Sequence, residues 1–530
     1  MNTKPLVSSA CGCSTSRRRF LAAGCGFCAA SAVPGLLTGP AAAAGEARAV
    51  AAGPKRPRVR LVFACFTTKQ NRPTWPHIGY DFTLDIQRVT AALRRLAPQV
   101  EFLPTVAHGP EDAKKLLAAD QADRIDGYLV YQMNNWVQVM QTVVPSGKPT
   151  LVADFLFAGS GGFLVYTAGL RRKHNNCSFV ASSKIEDLAE SAKCFAVLAK
   201  GGSAAEFVAA CDRVRRERTA RGDPAPCKDD PLKTADVGKC LDAMKRAKMV
   251  TVGGAMQGLA KEIKARLGIE VVPLDFKVLA AAYDKADRDK ARQLAERWKT
   301  AARAVTLDDA DATLEKSARL YLAQQAVLKE HQAEAITINC LGGFYSGNLA
   351  AYPCLGFVEL NDVGLVGACE ADVISTATMI AVKHLAGRPG MISDPVMDTS
   401  KRQIIYAHCV APTKMFGPAG QSNPFEILSH NEDRRGASVR SFLPQGYMTT
   451  TLEIHAGRQE ILCHRAKAVD NVVLDRACRT KLAGEVVGDM EKLFTFWDQY
   501  GWHRVTFYGD LREPVKELAA ALKFGFVEEA

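Results

Sequence analysis

From Val59 onward, short apolar runs alternate with amphipathic stretches, and this alternation restricts the fold more than any other property of the chain. Val59-Arg60-Leu61-Val62-Phe63-Ala64 reads as a buried strand, and the apolar spacing from Leu84 to Leu96 as a helix. Strands follow at Val100 to Leu103, Gly127 to Tyr131 and Pro149 to Ala153, with helices at Glu111 to Ala119 and Val137 to Val143 between them. Strands separated by helices imply parallel β-α-β units. After a polar stretch rich in Lys and Cys, Arg213 to Lys245, the pattern restarts at Met249-Val250-Thr251-Val252-Gly253-Gly254. It continues through helix Ala260 to Leu267, strand Ile269 to Pro273 and a charged helical region from Ala280 to Lys329. Towards the end Gly, Pro, Thr and β-branched residues rise and charged helices become rare. The expected fold is α/β: two doubly wound Rossmann-like domains, residues 56–195 and 196–345, then a β-rich α+β C-terminal domain, 346–530. A chain of 530 residues has room for about three domains. Gly159-Ser160-Gly161-Gly162 does not open a G-x-G-x-x-G helix and is read as a loop, not a dinucleotide cradle.

Residues 1–50 read as an address and leader. Ser16-Arg17-Arg18-Arg19-Phe20-Leu21 resembles a twin-arginine export signal, followed by a weakly apolar run to Leu37 and a small-residue stretch ending near Ala44. This predicts a periplasmic or otherwise exported protein that folds first and is carried by the twin-arginine translocase. A retained membrane anchor is the alternative, although the run, broken by Pro34, falls short of the roughly 20 apolar residues a span requires. Loss of Lys4, Arg17, Arg18 and Arg19 lowers the formal charge from +12 to +8. The remainder is spread along the chain without a basic stripe, so no nucleic-acid footprint is expected. Four of the sixteen cysteines, Cys11, Cys13, Cys25 and Cys28, lie in the address. The other twelve include no Cys-x-x-Cys pair and read mostly as buried thiols, with Cys211, Cys227 and Cys240 the candidates for disulfides.

The chemistry concentrates between Pro353 and Pro412. Ala368-Cys369-Glu370-Ala371-Asp372, Gly387-Arg388-Pro389-Gly390-Met391-Ile392-Ser393-Asp394 and Ile404-Ile405-Tyr406-Ala407-His408-Cys409 each set an acid or imidazole against an apolar segment. Buried ionised groups need a partner or a metal, so several meeting near strand ends make a candidate site. Oxygen ligands with one or two imidazoles suit Mn²⁺ or another divalent cation. Any single carboxylate here reads more readily as a helix cap or an ion-pair member than as a ligand, and His384, near Gly387, reads as a helix-end cation.

These segments, with Gly501-Trp502-His503-Arg504-Val505-Thr506 and Tyr508-Gly509-Asp510, resemble the L-fucose and L-arabinose isomerase superfamily, most strongly over residues 335–530. The resemblance implies an aldose–ketose isomerase acting on a monosaccharide through a cis-enediol. It implies metal binding by Glu370, Asp394, His503 and, as in the arabinose branch, His408. Glu370 and Asp394 become the catalytic pair, in either order of base and acid. It also implies a homo-oligomer, trimer or hexamer, with Trp75-Pro76-His77 reaching a neighbouring subunit's site.

Trp502 departs from the family pattern, where many members carry a small polar residue. Asp398, four residues after Asp394, is a competing ligand. Gly436 to Thr451, with Arg440, Gln445 and Thr449-Thr450-Thr451, reads either as pocket lining or as plain antiparallel strand. An exported sugar-binding protein, or another carbohydrate-acting enzyme on the same scaffold, stays open.

Overall fold

The computed structural model describes residues 56–530 apart from Asp223, Ala255 and Met256, so the twin-arginine segment lies outside the described residues. The first five strands are β1 (Arg58–Ala64), β2 (Glu101–Ala107), β3 (Gly127–Gln132), β4 (Thr150–Asp154) and β5 (Cys177–Val180), all parallel, in the order β2-β1-β3-β4-β5. Val59, Leu61 and Phe63 pack with Val89, Leu93 and Leu188 on one face. Val62 and Ala64 pack with Ala113, Met140 and Phe163 on the other. Both faces are covered, which is why these strands read as nearly continuous apolar runs.

The chain then forms β6 (Lys248–Val252), β7 (Glu270–Leu274), the short β8 (Ala304–Thr306), β9 (Ala335–Ile338) and β10 (Val366–Cys369). All but β8 make a second parallel sheet in the order β10-β9-β6-β7. The charged region after β7 is three helices, Phe276–Lys285, Arg288–Ala301 and Ala310–Glu330. The last two begin at Asp287 and Asp309, whose side chains accept backbone N–H bonds.

The remaining strands are β11 (Met391–Asp398), β12 (Gln403–His408), β13 (Phe425–Leu428), β14 (Ser438–Ser441), β15 (Met448–His455), β16 (Glu460–Asn471), β17 (Thr480–Val487), β18 (Arg504–Tyr508) and β19 (Gly525–Glu528). β14, β13 and β8 form a small sheet. The others run β15-β18-β11-β12-β17-β16-β19, and β15 also pairs with β16, so six antiparallel strands close into a barrel. The twelve-residue β16 makes closure possible: one half pairs with β15 and β19, the other reaches β17 past an irregularity at Ala468 to Asp470. Alternate barrel residues serve two layers. Ile405, Leu452 and Val505 join the core of the second sheet, while Tyr406, Ala466 and Leu482 join Phe163 and Phe179 of the first.

Two sequence expectations change, and one open choice is decided. Gly159 to Gly162 is not a loop but runs into helix Ser160–Lys173, where a Cβ on Gly162 would lie 2.4 Å from Asn135 Oδ1 and 2.5 Å from Tyr166. Close packing, not turn geometry, calls for glycine there. Cys211, Cys227 and Cys240 are free thiols. Cys211 and Cys240 are buried and donate to the carbonyls of Ser191 and Ala381. Thr449, Thr450 and Thr451 are fully buried barrel residues bonded to Ala466 O, Gly509 O and Thr506 Oγ1, and Arg440 pairs with Glu426, so this run serves the strands and not the pocket.

Candidate active site

The element Ala368-Cys369-Glu370-Ala371-Asp372 has a distinct task at each position. Cys369 ends β10; Glu370 and Ala371 then adopt left-handed backbone, φ 63° and 53°, rarely taken by residues other than glycine. Ala371 N–H is held by Ile338 O at 2.9 Å, and the Asp372 carboxylate accepts the N–H groups of Ile374 and Ser375, both at 3.0 Å, to start helix Val373–Ala386. The strained pair turns Glu370 out of the sheet end into a pocket shared with the barrel.

The barrel supplies the rest. Asp394 comes from β11, His408 from the end of β12, and His503 immediately precedes β18. Glu370, His408 and His503 bring one ligand atom each within 4.8 Å of one another. His503 Nε2 lies 3.6 Å from Glu370 Oε2 and 3.7 Å from Asp394 Oδ1; His408 Nε2 lies 3.8 Å from Glu370 Oε1. All four predicted residues therefore converge. Asp398 does not: its carboxylate accepts from Ser183 N and Ser400 N, tying β11 to the loop after β5. His384 pairs with Glu334 at 2.8 Å, outside the cluster, as a helix-end imidazole should.

The two imidazoles differ. His503 Nδ1 is 3.0 Å from Asp372 Oδ2, so the carboxylate holds the proton on Nδ1 and leaves Nε2 as the inward-facing atom. His408 Nδ1 accepts from Cys409 N–H at 3.0 Å, so the neutral ring carries its proton on Nε2, aimed at Glu370. Both Nε2 atoms are buried without a hydrogen-bond partner, although each faces a carboxylate beyond hydrogen-bond reach. Two carboxylates and the Nε2 of an imidazole anchored by a third carboxylate are a donor set that fits a divalent cation.

Burial pushes Glu370 up to about 7, partly opposed by His503, and Asp394 up to about 6, opposed by His503 and by the Trp502 indole N–H donating at 2.7 Å. Burial alone would lower His503, but its hydrogen bond to Asp372 and the charges of Glu370, Asp394 and Asp372 raise it to about 10. Burial, with His503 nearby, drives His408 well below its ordinary range. Asp372 is held below its usual value by His503 despite burial.

Pocket residues that the sequence reading missed come from loops. Trp136, 54% exposed and with φ 65°, stacks on Trp502 at 4.3 Å and an interplanar angle of 7°. Asn135 and Trp75 lie beside it, and buried Asn134 ties their loops together by donating to Trp75 O and accepting from Phe66 N. Trp75 thus reaches the pocket of its own chain. His430 and Glu432 come from the loop after β13. Asp433, Cys409 and Glu432 raise His430 to about 9 against the effect of burial, and Tyr345 OH donates to Glu432 at 2.8 Å. The polar run Ser429-His430-Asn431-Glu432-Asp433 was the available signal.

Proteins of known activity resemble this chain in part. The sulfoquinovose isomerase of Clostridium sp. (strain MSTE9) is 23% identical over 301 residues, 54% of this chain and 65% of that protein. Those of Priestia aryabhattai and Priestia megaterium are each 22% identical over 302 residues, 55% of this chain and 66% of theirs.

Its distant relatives are sugar isomerases.

The chain spans about two thirds of their length, and their name is not that of the fucose or arabinose enzymes. No family model matches. Among solved structures, the XylFII-LytSN complex gives a TM-score of 0.16 at 13% identity, over 56% of this chain and 87% of that one. A solute-binding protein from Agrobacterium vitis bound with alpha-D-tagatopyranose gives 0.17 at 12%, over 53% and 76%. At such scores neither likeness bears on fold or function.

Proposed function

We propose that the chain is a metal-dependent aldose–ketose isomerase that interconverts an open-chain monosaccharide through a cis-enediol. The observation that carries this reading is His503. Its Nδ1 is fixed by Asp372 while its buried Nε2 faces both Glu370 and Asp394. Glu370, Asp394 and His503 would hold the cation, Mn²⁺ or another divalent ion; the inferred tautomer of His408 makes it a donor toward Glu370 rather than a fourth ligand. A bound divalent cation supplies stabilisation of the negative charge that develops on the two sugar oxygens of an enediolate.

The protein's own groups do the rest. Glu370 is the more solvent-open carboxylate, with 31% of its side chain exposed against 10% for Asp394, and its affinity for a proton near neutrality suits removal of the C2 proton. Asp394, held by Trp502, returns a proton at C1. The stacked Trp136 and Trp502 wall the pocket beside Asp394, to which Trp502 donates its indole N–H. Glu370→Gln should abolish turnover with the fold intact, and turnover in D₂O should place deuterium at C1 or C2. A fully active Glu370→Gln removes the residue from the mechanism. Sulfoquinovose, from the relatives' name, belongs first in a panel with L-fucose and L-arabinose.

The export signal fits the same reading. Mn²⁺ competes poorly with Zn²⁺ and Cu²⁺ for nitrogen and oxygen ligands, so loading in the cytoplasm before translocation to the periplasm avoids the wrong ion. Equal Zn²⁺ content in protein purified from the periplasm and in a cytoplasmic variant lacking residues 1–44 would refute it.

A further inference from the structure

Five cysteines, Cys340, Cys354, Cys369, Cys409 and Cys478, line the pocket that holds Glu370, and the proposed isomerisation uses none of them. Four are already paired: Cys409 interacts with Cys478, and Cys340 touches Cys369. Cys340 Sγ lies 3.3 Å from Cys369 Sγ, and the residues are only 2% and 4% exposed. β9 and β10 bring them together. Ile338 is the parallel partner of Cys369, and Cys340 begins the helix Cys340–Ser346 two residues later. A soft-metal centre does not explain the cluster, because among the described residues the group of three or more converging ligand atoms is Glu370, His408 and His503, without a cysteine.

We propose that Cys340 and Cys369 are a peroxide-oxidisable pair that closes to a reversible disulfide on the floor of the pocket and draws the Glu370 turn with it. Hydrogen peroxide, smaller than the monosaccharide the pocket is proposed to take, reaches the sulfurs through that pocket. One thiol attacks a peroxide oxygen, the O–O bond breaks, and a sulfenic acid and water result. The second thiol displaces the sulfenic oxygen as a second water, and the S–S bond forms. Both sulfurs together lose two electrons, and both peroxide oxygens leave as water. A disulfide of about 2.05 Å requires the sulfurs to close by more than about 1 Å. Cys369 adjoins the left-handed Glu370–Ala371 pair, held by Ala371 N–H on Ile338 O, so this closure pulls on the backbone that aims Glu370.

The test oxidises the full chain with hydrogen peroxide, removes the excess with catalase, blocks remaining thiols and digests it. A peptide joining Cys340 to Cys369 is expected by mass spectrometry, reversed by dithiothreitol. Mn²⁺ affinity of the oxidised protein should fall at least about tenfold and recover with dithiothreitol, whereas Cys340→Ser should show no such reversible loss. Absence of the cross-linked peptide overturns the proposal. So does a cross-linked protein whose Mn²⁺ affinity is unchanged, or a Cys340→Ser variant with the same dithiothreitol-reversible loss. Reduced protein that binds no Mn²⁺ refutes the metal reading above, and the cross-link then decides the thiol pair on its own.

Discussion

A cation entering the site must displace protons, and the number displaced follows from the positions of three groups. Glu370 near 7, Asp394 near 6 and His503 near 10 together carry roughly 2.4 protons at pH 6 and 1.1 at pH 8. With their ordinary values of 4.5, 3.8 and 6.5 they would carry only about 0.8 at pH 6 and almost none at pH 8. His408, lowered well below its usual range by burial, is not among the three groups counted. Calorimetric titration of the apoprotein with Mn²⁺, in buffers of different ionisation enthalpy at fixed pH, reads the number directly. About two protons or more should leave at pH 6 and about one at pH 8. The pH 8 value is the decisive one, because it belongs almost entirely to His503. Release well below one proton there would mean that His503 Nε2 either is not a ligand or is not held protonated by Asp372, Glu370 and Asp394.

Three further outcomes are expected. Asp372→Asn should weaken Mn²⁺ binding about 10–100-fold through loss of the His503 orientation, while Asp398→Asn, which caps a turn outside the pocket, should leave affinity within about twofold by the same titration. Arg504 and His464 hold buried Glu529 at about 2 although burial alone would raise it; Glu529→Gln should therefore cost about 3–5 kcal/mol at neutral pH in urea unfolding. Because the folded value lies below the ordinary 4.5, that advantage is complete above pH 4.5 and fades as pH falls towards 2, so wild type and variant should converge in acid. Gly436→Ala puts a Cβ 2.0 Å from the Tyr352 ring at a backbone φ of +58°; a loss of about 1–3 kcal/mol and a disturbed Phe344–Tyr352 stack should appear in the unfolding midpoint and near-ultraviolet dichroism.

The parts of the site that were legible are those whose role is written locally. Ala-Cys-Glu-Ala-Asp contains a strand end, a turn and a helix cap within five residues, so Glu370 declares its surroundings without the rest of the chain, whereas the hold of Asp372 on His503, 131 residues away, was not read. Asp394 and Asp398 lie four apart in β11, and alternation along a strand puts both on one side. Only the structure shows that the second is spent on Ser183 and Ser400. The aromatic wall was not legible, since Trp136 owes its place to a left-handed backbone and to Asn134, which binds two loops nearly sixty residues apart. The helix through Gly161 and Gly162 was hidden for a related reason: local propensity argues for a loop, and tight packing against Asn135 and Tyr166 overrides it.

Asp372 links these observations physically. It caps helix Val373–Ala386, fixes the ring of His503 and receives Ser375 Oγ at 2.8 Å, behind which buried Glu453 stands 3.3 Å away. Burial and the Asp372 charge push Glu453 well above its ordinary value, which disfavours a second negative charge behind the cap. Two residues before Asp372 is Glu370, and three before it is Cys369. The carboxylate facing the pocket, the carboxylate that orients the imidazole and the thiol touching Cys340 therefore move as one short segment on the end of β10. A strained backbone at Glu370 and Ala371 is stable only while Ile338 O and the helix cap grip it from both sides. A covalent change at Cys369 acts inside that grip, which is why one sulfur–sulfur bond would reach both Glu370 and His503 where a surface modification would reach neither.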